Sequence, residues 1–300
     1  MKKNILLASI LLLQFILAQE WELTMTAQDI ATEGASDYIR IGTCENCHDG
    51  FHFGEDEYDL PNGGNTYTDI QIFNYDWLGT PDENGNTWSD YLKEVNSEGK
   101  TVWEWHAHLD MNIEDFPLHI MSTRKEFLHC NTCVELPDGN IMLSFRKNSM
   151  IVVVDKKTKK IIKKWQNHNW GQQHDCQRLE NGNVLFFANG IHVTGGVYSS
   201  KVIEIDWDTG DEIWSYSGSP PWSMFSPNIS GVQRQPNGNT LICEGLNGRI
   251  LEVTSEGETV WEYISPWFIK TQKGPDNAVF RAYRYNIDSP EIGGRISLTD

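Results

Sequence analysis

The sequence predicts an all-β protein, and three observations carry the prediction. One strand–turn–strand pattern closing on a tryptophan returns four times. Three turns of one type, Pro137-Asp138-Gly139-Asn140, Glu180-Asn181-Gly182-Asn183 and Pro236-Asn237-Gly238-Asn239, open repeats, and their Asp-Gly and Asn-Gly steps supply the positive φ that tight hairpins need. Helical periodicity is nearly absent, with Pro and Gly falling mainly between apolar runs. A repeat of roughly 45 residues holding about four strands is the blade of a β-propeller. One blade cannot bury both of its faces, so blades stack radially around a channel.

Taken in order, residues 1–18 read as a secretory signal peptide: Lys2 and Lys3 precede an apolar run, Ile5 through Leu17, and Ala18 is a plausible cleavage residue. The run is short for a membrane span, so the expectation is a periplasmic or secreted protein without one. Residues 19–66 form an N-terminal segment, and residues 67–300 are assigned to the propeller. Tyr67 through Trp77 and the Asn84-Gly85-Asn86 turn are the candidates for earlier blades. The repeats proper are Tyr91–Val95 with Gly99–Trp103, Ile151–Asp155 with Ile161–Trp165, Val202–Asp206 with Gly210–Trp214, and Ile250–Thr254 with Gly257–Trp261. The runs Ile141–Phe145 and Val184–Phe187 read as strands directly after the first two turns. The tail, Ala278 through Tyr285, is predicted to be a strand closing the ring beside an N-terminal strand.

The formal net charge of -18 argues against nucleic acid or an anionic membrane as partner. It also means that cations near a site are there for a reason. The twelve tryptophans serve as large fillers between layers, with one or two available as a stacking wall for an aromatic substrate. In an oxidising compartment the six cysteines are expected to form disulfides, with the connectivity left open. The first pair lies in Cys44-Glu45-Asn46-Cys47-His48, the attachment spacing of c-type haem, in which Cys44 and Cys47 would bond the vinyl groups and His48 the iron. A local disulfide is the other reading. A metal site built from both Cys-x-x-Cys pairs is disfavoured in that compartment, and no metal is required.

The residues with chemistry concentrate between Leu128 and Asn189. His129 stands in His129-Cys130-Asn131-Thr132-Cys133 before the first turn, and Arg146 ends the strand after it. His174 stands in Gln173-His174-Asp175 before the second turn. Each histidine thus lies at the mouth of a small sheet, where an all-β ring places ligand-binding groups. His119, His168 and His192 read as loop residues.

With these motifs the chain resembles the bacterial arylsulfotransferases. The matching features are Gly99-Lys100-Thr101-Val102-Trp103-Glu104-Trp105 with His106 and His108 just after it, His129-x-Asn131 followed by Ser144-x-Arg146, and Gln173-His174-Asp175 before Asn181-Gly182-Asn183. Gln233 through Ile242, Gly248 through Thr254 and Val260-Trp261-Glu262-Tyr263 complete the set. The resemblance implies six blades, with five or seven as the alternatives, and transfer of a sulfuryl group from a phenolic sulfate to another phenol with no cofactor required. It makes His174 the nucleophile that is transiently sulfated, gives His129 and Arg146 to the sulfate oxygens, and makes His106 or His108 a further active-site histidine. Asn131 is a supporting, substrate-side residue.

The chemistry fits such a task. The non-bridging oxygens of a sulfuryl group stay negative throughout transfer, so donors and cations must face them. A planar guanidinium suits an oxyanion, and a neutral imidazole can split one hard step into two. Asp175 is expected to orient a neighbour, and a second histidine can shuttle the phenol proton. Two rival readings are a non-catalytic propeller that binds a ligand or protein, and a redox protein with haem c or a quinone.

Overall fold

In the computed structural model the described residues are 37–41, 89–96, 100–112, 115–122, 127–194, 196–271 and 274–285. The signal peptide, Cys44, Cys47 and His48, Tyr67 through Trp77 and the Asn84-Gly85-Asn86 turn lie outside them. Among the described residues, 37–40, 92–96 and 100–104 belong to one compact unit and the remainder to another. β1 (Asp37–Ile41), β2 (Tyr91–Asn96) and β3 (Thr101–His106) form a three-stranded sheet in that order.

The larger unit is built on three four-stranded antiparallel meanders. They are β4 (Cys130–Glu135), β5 (Ile141–Phe145), β6 (Met150–Val154) and β7 (Ile161–Gln166); β8 (His174–Arg178), β9 (Val184–Ala188), β10 (Lys201–Ile205) and β11 (Glu212–Ser217); and β12 (Gly231–Arg234), β13 (Thr240–Glu244), β14 (Arg249–Val253) and β15 (Thr259–Ile264). A hairpin of β16 (Ile269–Thr271) and β17 (Gly274–Asp276) follows. The strands predicted between Ile141 and Trp261 are present in the meanders, those predicted over Tyr91–Val95 and Gly99–Trp103 fall in the three-stranded sheet, and the only α-helix among the described residues is the single turn α1 (Ala107–Asp110). No helix there is long and apolar enough to cross a membrane.

The three predicted turns join the first two strands of each meander. Gly139, Gly182 and Gly238 have φ of 81°, 90° and 87°. In each, the Asx side chain accepts the backbone N–H two residues on, as Asp138 does from Asn140, Asn181 from Asn183 and Asn237 from Asn239.

Two cores sit between the meanders. Met142, Ile151 and Val153 of the first face Val184, Phe186, Ile203 and Ile205 of the second, with Trp165 and Trp170 filling the layer. From the other side of the second meander, Leu185, Phe187 and Val202 meet Val232, Ile242, Leu251 and Val253 of the third. β9 is buried on both faces, which is why Val184-Leu185-Phe186-Phe187 reads as an unbroken apolar run.

The tryptophans tie the layers at their outer edge. The Trp165 ring lies against Gly210, where an added Cβ would stand 2.5 Å from Cδ1. The Trp214 indole donates to the Ser255 carbonyl at 2.8 Å. Trp105 makes the corresponding bond to the Lys159 carbonyl at 3.1 Å, so in the first repeat this contact belongs to Trp105 where the sequence pattern singles out Trp103. Each acceptor lies in the outer hairpin of the following sheet.

Two expectations are corrected. Residues 278–285 are not a strand. The tail instead follows β12 through scattered bonds: Ser230 N–H donates to the Phe280 carbonyl, and the Gln233 amide both accepts from Arg284 N–H and donates to the Arg284 carbonyl. A side chain thus takes the place of a ladder partner. No disulfide joins any two of the four described cysteines, Cys130, Cys133, Cys176 and Cys243. Cys130 and Cys133 lie in one strand, where three residues of rise, about 10 Å, exceed what a disulfide spans.

Candidate active site

The first half of the site is a cross-strand pair. His129 precedes β4 with a left-handed φ of 54°, a conformation that costs an L-residue free energy unless its surroundings hold it. The buried Asp90 carboxylate holds it here, accepting the backbone N–H of His129 at 2.9 Å and of Cys130 at 2.8 Å. Arg146 follows β5, and its N–H donates to the His129 carbonyl at 3.2 Å. The side chains meet as well: Arg146 Nη1 lies 3.4 Å from His129 Nε2. The guanidinium is aimed from its other edge, where Nε donates to Gln172 Oε1 at 2.7 Å. Gln172 is itself buried, with φ 69° and its N–H on Ser149 Oγ.

The second half is His174, buried at the start of β8, where a bulge between His174 and Gln177 re-aims the strand. Its Nδ1 lies 2.7 Å from Asn189 Oδ1. The Asn189 amide is oriented by its Nδ2, which donates to the carbonyls of Ser226 at 2.7 Å and Ile229 at 3.0 Å. Its oxygen must therefore accept, so His174 carries its proton on Nδ1 and the lone pair on Nε2. Burial, reinforced by the charges of Arg146 and then His129, lowers the His174 pKa to about 3, which leaves the ring neutral at pH 7.

The chain before His174 is anchored residue by residue. Gln173 Nε2 donates to Ser144 Oγ and to the carbonyls of Phe145 and Met150. Asn131, almost wholly buried, donates from Nδ2 to the Gln173 carbonyl at 2.7 Å, which makes it a tie between β4 and β8. Asp175 turns toward β12 and the tail: its carboxylate accepts the Val232 N–H of β12 at 2.8 Å and the Tyr283 hydroxyl at 2.6 Å.

His106 and His108 form their own pair, rings edge-to-face at 5.6 Å, with Tyr91 stacked on His106. Burial and then His106 lower the His108 pKa, against Asp110. The charges acting most on His174 include neither. His119, His168 and His192, expected as separate loop residues, come together: His192 is buried and stacks on His119 at 4.0 Å, and His168 meets His119 at 5.1 Å. Burial, then His119, His168, Lys147 and Arg146, bring the His192 pKa down to about 4. Among the described residues no group of three ligating side chains has the geometry to hold a metal.

Sequence reasoning missed Asn189 and Gln172. Asn189 had a signal: it follows the second strand of its repeat, as Arg146 does in the repeat before.

Comparison with solved structures finds similarity to a protein of unknown function from Bacteroides caccae, 14% identical, over 66% of this chain and 61% of that one, with a TM-score of 0.42. Virginiamycin B lyase from Staphylococcus aureus, solved with quinupristin, is 14% identical over 60% and 53% of the two chains, with a TM-score of 0.40. The matched part spans about three fifths or less of those structures' own length. Comparison with curated proteins finds no match. At the family level the sequence matches arylsulfotransferase (ASST) over residues 75–266 of its 300, a span that holds His129, Arg146, His174 and Asn189 together. On that match, the chain belongs to the arylsulfotransferase family.

Proposed function

We propose that this protein is an exported enzyme, built as a six-bladed propeller, that moves a sulfuryl group from a phenolic sulfate ester to a phenolic acceptor through a sulfated His174. The observation that carries the reading is the state of His174: neutral, held in one tautomer by Asn189, and beside the Arg146–His129 pair.

In the first step the Nε2 lone pair attacks sulfur. The N–S bond forms as the bond from sulfur to the aryl oxygen breaks, and that electron pair leaves on the phenolate. Arg146 and His129 bind the non-bridging oxygens, whose charge they balance in the transition state. The ring becomes cationic on sulfation, and its Nδ1–H strengthens its bond to the Asn189 oxygen. In the second step the acceptor oxygen attacks sulfur, the N–S pair returns to Nε2, and the acceptor's proton neutralises the departed phenolate. His106 or His108 is the proposed carrier of that proton. The balance is aryl sulfate plus phenol giving phenol plus aryl sulfate, with no redox change. Asn131 supports the site by fixing Gln173. The apolar leader supports export.

Intact-protein mass spectrometry after brief exposure to 4-nitrophenyl sulfate tests the reading. One sulfuryl group on the His174 peptide is expected, and His174→Ala is expected to carry none and to release no nitrophenol while melting as a folded protein. A fully active His174→Ala variant would sink the sulfated-His174 reading, and a wild type that turns over no aryl sulfate would favour a non-catalytic binding protein.

A further inference from the structure

The strongest unassigned feature is contributed by two residues beyond the family match, which ends at residue 266. The tail returns two side chains to the residue next to His174. Asp175 has a left-handed φ of 55° and is almost fully buried. Its Oδ1 accepts the Tyr283 hydroxyl at 2.6 Å and lies 3.5 Å from Arg281 Nη1; its Oδ2 accepts Val232 N–H at 2.8 Å and faces Gln177 Nε2 at 3.4 Å. Arg281 Nη1 also donates to the Tyr283 oxygen at 3.2 Å. The arrangement needs a bare backbone opposite: a Cβ on Gly231 would stand 2.6 Å from Asp175 Oδ2 and 2.9 Å from Arg281 Cγ.

We infer that Arg281 and Tyr283 are positioning residues for His174, acting through the carboxylate of Asp175. The inference rests on the sulfuryl-transfer reading above. Its physical core is that a carboxylate can be buried at this point only because donors surround it. Burial pushes the Asp175 pKa up, and Arg281 is the largest influence holding it down, followed by Tyr283. The other titratable neighbours are His174, neutral at pH 7, and the thiols of Cys176 and Cys243, which burial keeps protonated. Without Arg281 the carboxylate takes up a proton at higher pH and gives up acceptor capacity. The left-handed turn of chain at Asp175 then loses what holds it, and Nε2 of His174 moves against Arg146. A shift of about 1 Å at a reacting atom is worth about 10²-fold in rate.

The test compares full-length Arg281→Met, Arg281→Lys and Tyr283→Phe with Arg284→Met. Arg284 binds the same tail to Glu252 and has no bond to Asp175, so it controls for tail docking. The rate of His174 sulfation by 4-nitrophenyl sulfate is followed by rapid quench against pH. The His174 imidazole signals in ¹H–¹⁵N spectra are recorded without substrate. Arg281→Met is expected to slow sulfation about 10²-fold and to move the acid limb of the profile to higher pH. Arg281→Lys should restore most of the rate, and Arg284→Met should leave rate and spectrum near wild type. If Arg281→Met does not fold, Tyr283→Phe, one hydroxyl smaller, should show the same limb shift to a lesser degree. Wild-type rate and limb in Arg281→Met or Tyr283→Phe, or an equal loss in Arg284→Met, would overturn the inference. A wild type that never becomes sulfated would overturn the transfer reading alone. The imidazole spectra would then still decide the positioning claim, which fails if Arg281→Met and Tyr283→Phe leave the His174 signals in place.

Discussion

At the scale of single residues, the reactivity proposed for His174 depends on a side chain that would touch no substrate. Asn189 has only one way to satisfy three bonds: its nitrogen takes the Ser226 and Ile229 carbonyls and its oxygen takes His174 Nδ1. Removing the amide frees the imidazole to flip or to change tautomer. Asn189→Leu is therefore expected to lower kcat/KM on an aryl sulfate by about 10- to 100-fold, the usual effect of losing the partner that orients a functional histidine. It should also cost about 1–3 kcal/mol of stability through the orphaned carbonyls. An unchanged kcat/KM in a folded variant would mean that the tautomer is set by something else. His129 and Arg146 were legible in the sequence because a strand and a tight turn bring them together locally. Asn189 and Gln172 were not, because each meets its partner only once separate strands are packed, and an Asn before Gly reads as a turn.

At the scale of elements, local chemistry and tertiary packing separate cleanly at two glycines. Gly139 and Gly190 both have positive φ, 81° and 74°. A Cβ on Gly139 meets nothing within 4 Å, whereas one on Gly190 would stand 1.9 Å from the Ser199 carbonyl oxygen. Gly139→Ala is expected to cost only the left-handed penalty, about 1 kcal/mol. Gly190→Ala must in addition displace the chain that carries Ser200, whose hydroxyl holds the Asn189 carbonyl at 3.0 Å, so its cost should exceed about 2 kcal/mol. Urea unfolding of the two variants measures the gap, and equal midpoints would refute the packing argument. The same division explains what the sequence revealed of the elements. The hairpins are written in adjacent residues, so β5 to β7, β9 to β11, β14 and β15 were legible in the sequence, whereas β4, β8, β12 and β13 were not singled out as strands. The tail was misread as a strand because its apolar alternation is genuine, while its partners are the Gln233 amide and the Asp175 carboxylate. His119, His168 and His192 lie far apart in sequence, and nothing local announces their stacking.

At the scale of the whole molecule, the buried neutral ring that suits catalysis also makes stability depend on pH. The pKa of His174 is about 3 in the folded chain against an ordinary value of 6.5. As pH falls, the unfolded chain takes up this proton first, so unfolding is favoured. The contribution of the neutral ring is complete above about pH 6.5 and declines as pH falls toward 3. Over that window His174 alone accounts for a loss on the order of a few kcal/mol. His192, brought down to about 4, acts in the same direction between pH 6.5 and 4. Carboxylates titrate in the same range, and with a formal net charge of -18 their effect on the raw melting curve is large. A difference removes it. His174→Gln retains the carboxylates and a side-chain donor facing Asn189 but has no proton to gain. The melting temperature of wild type minus that of His174→Gln is expected to be constant above pH 7 and to fall steadily between pH 6.5 and 4. A difference that stays level across that range would show that the ring is charged, or exposed to water, in the folded protein. The neutral nucleophile on which sulfuryl transfer depends would then be lost with it.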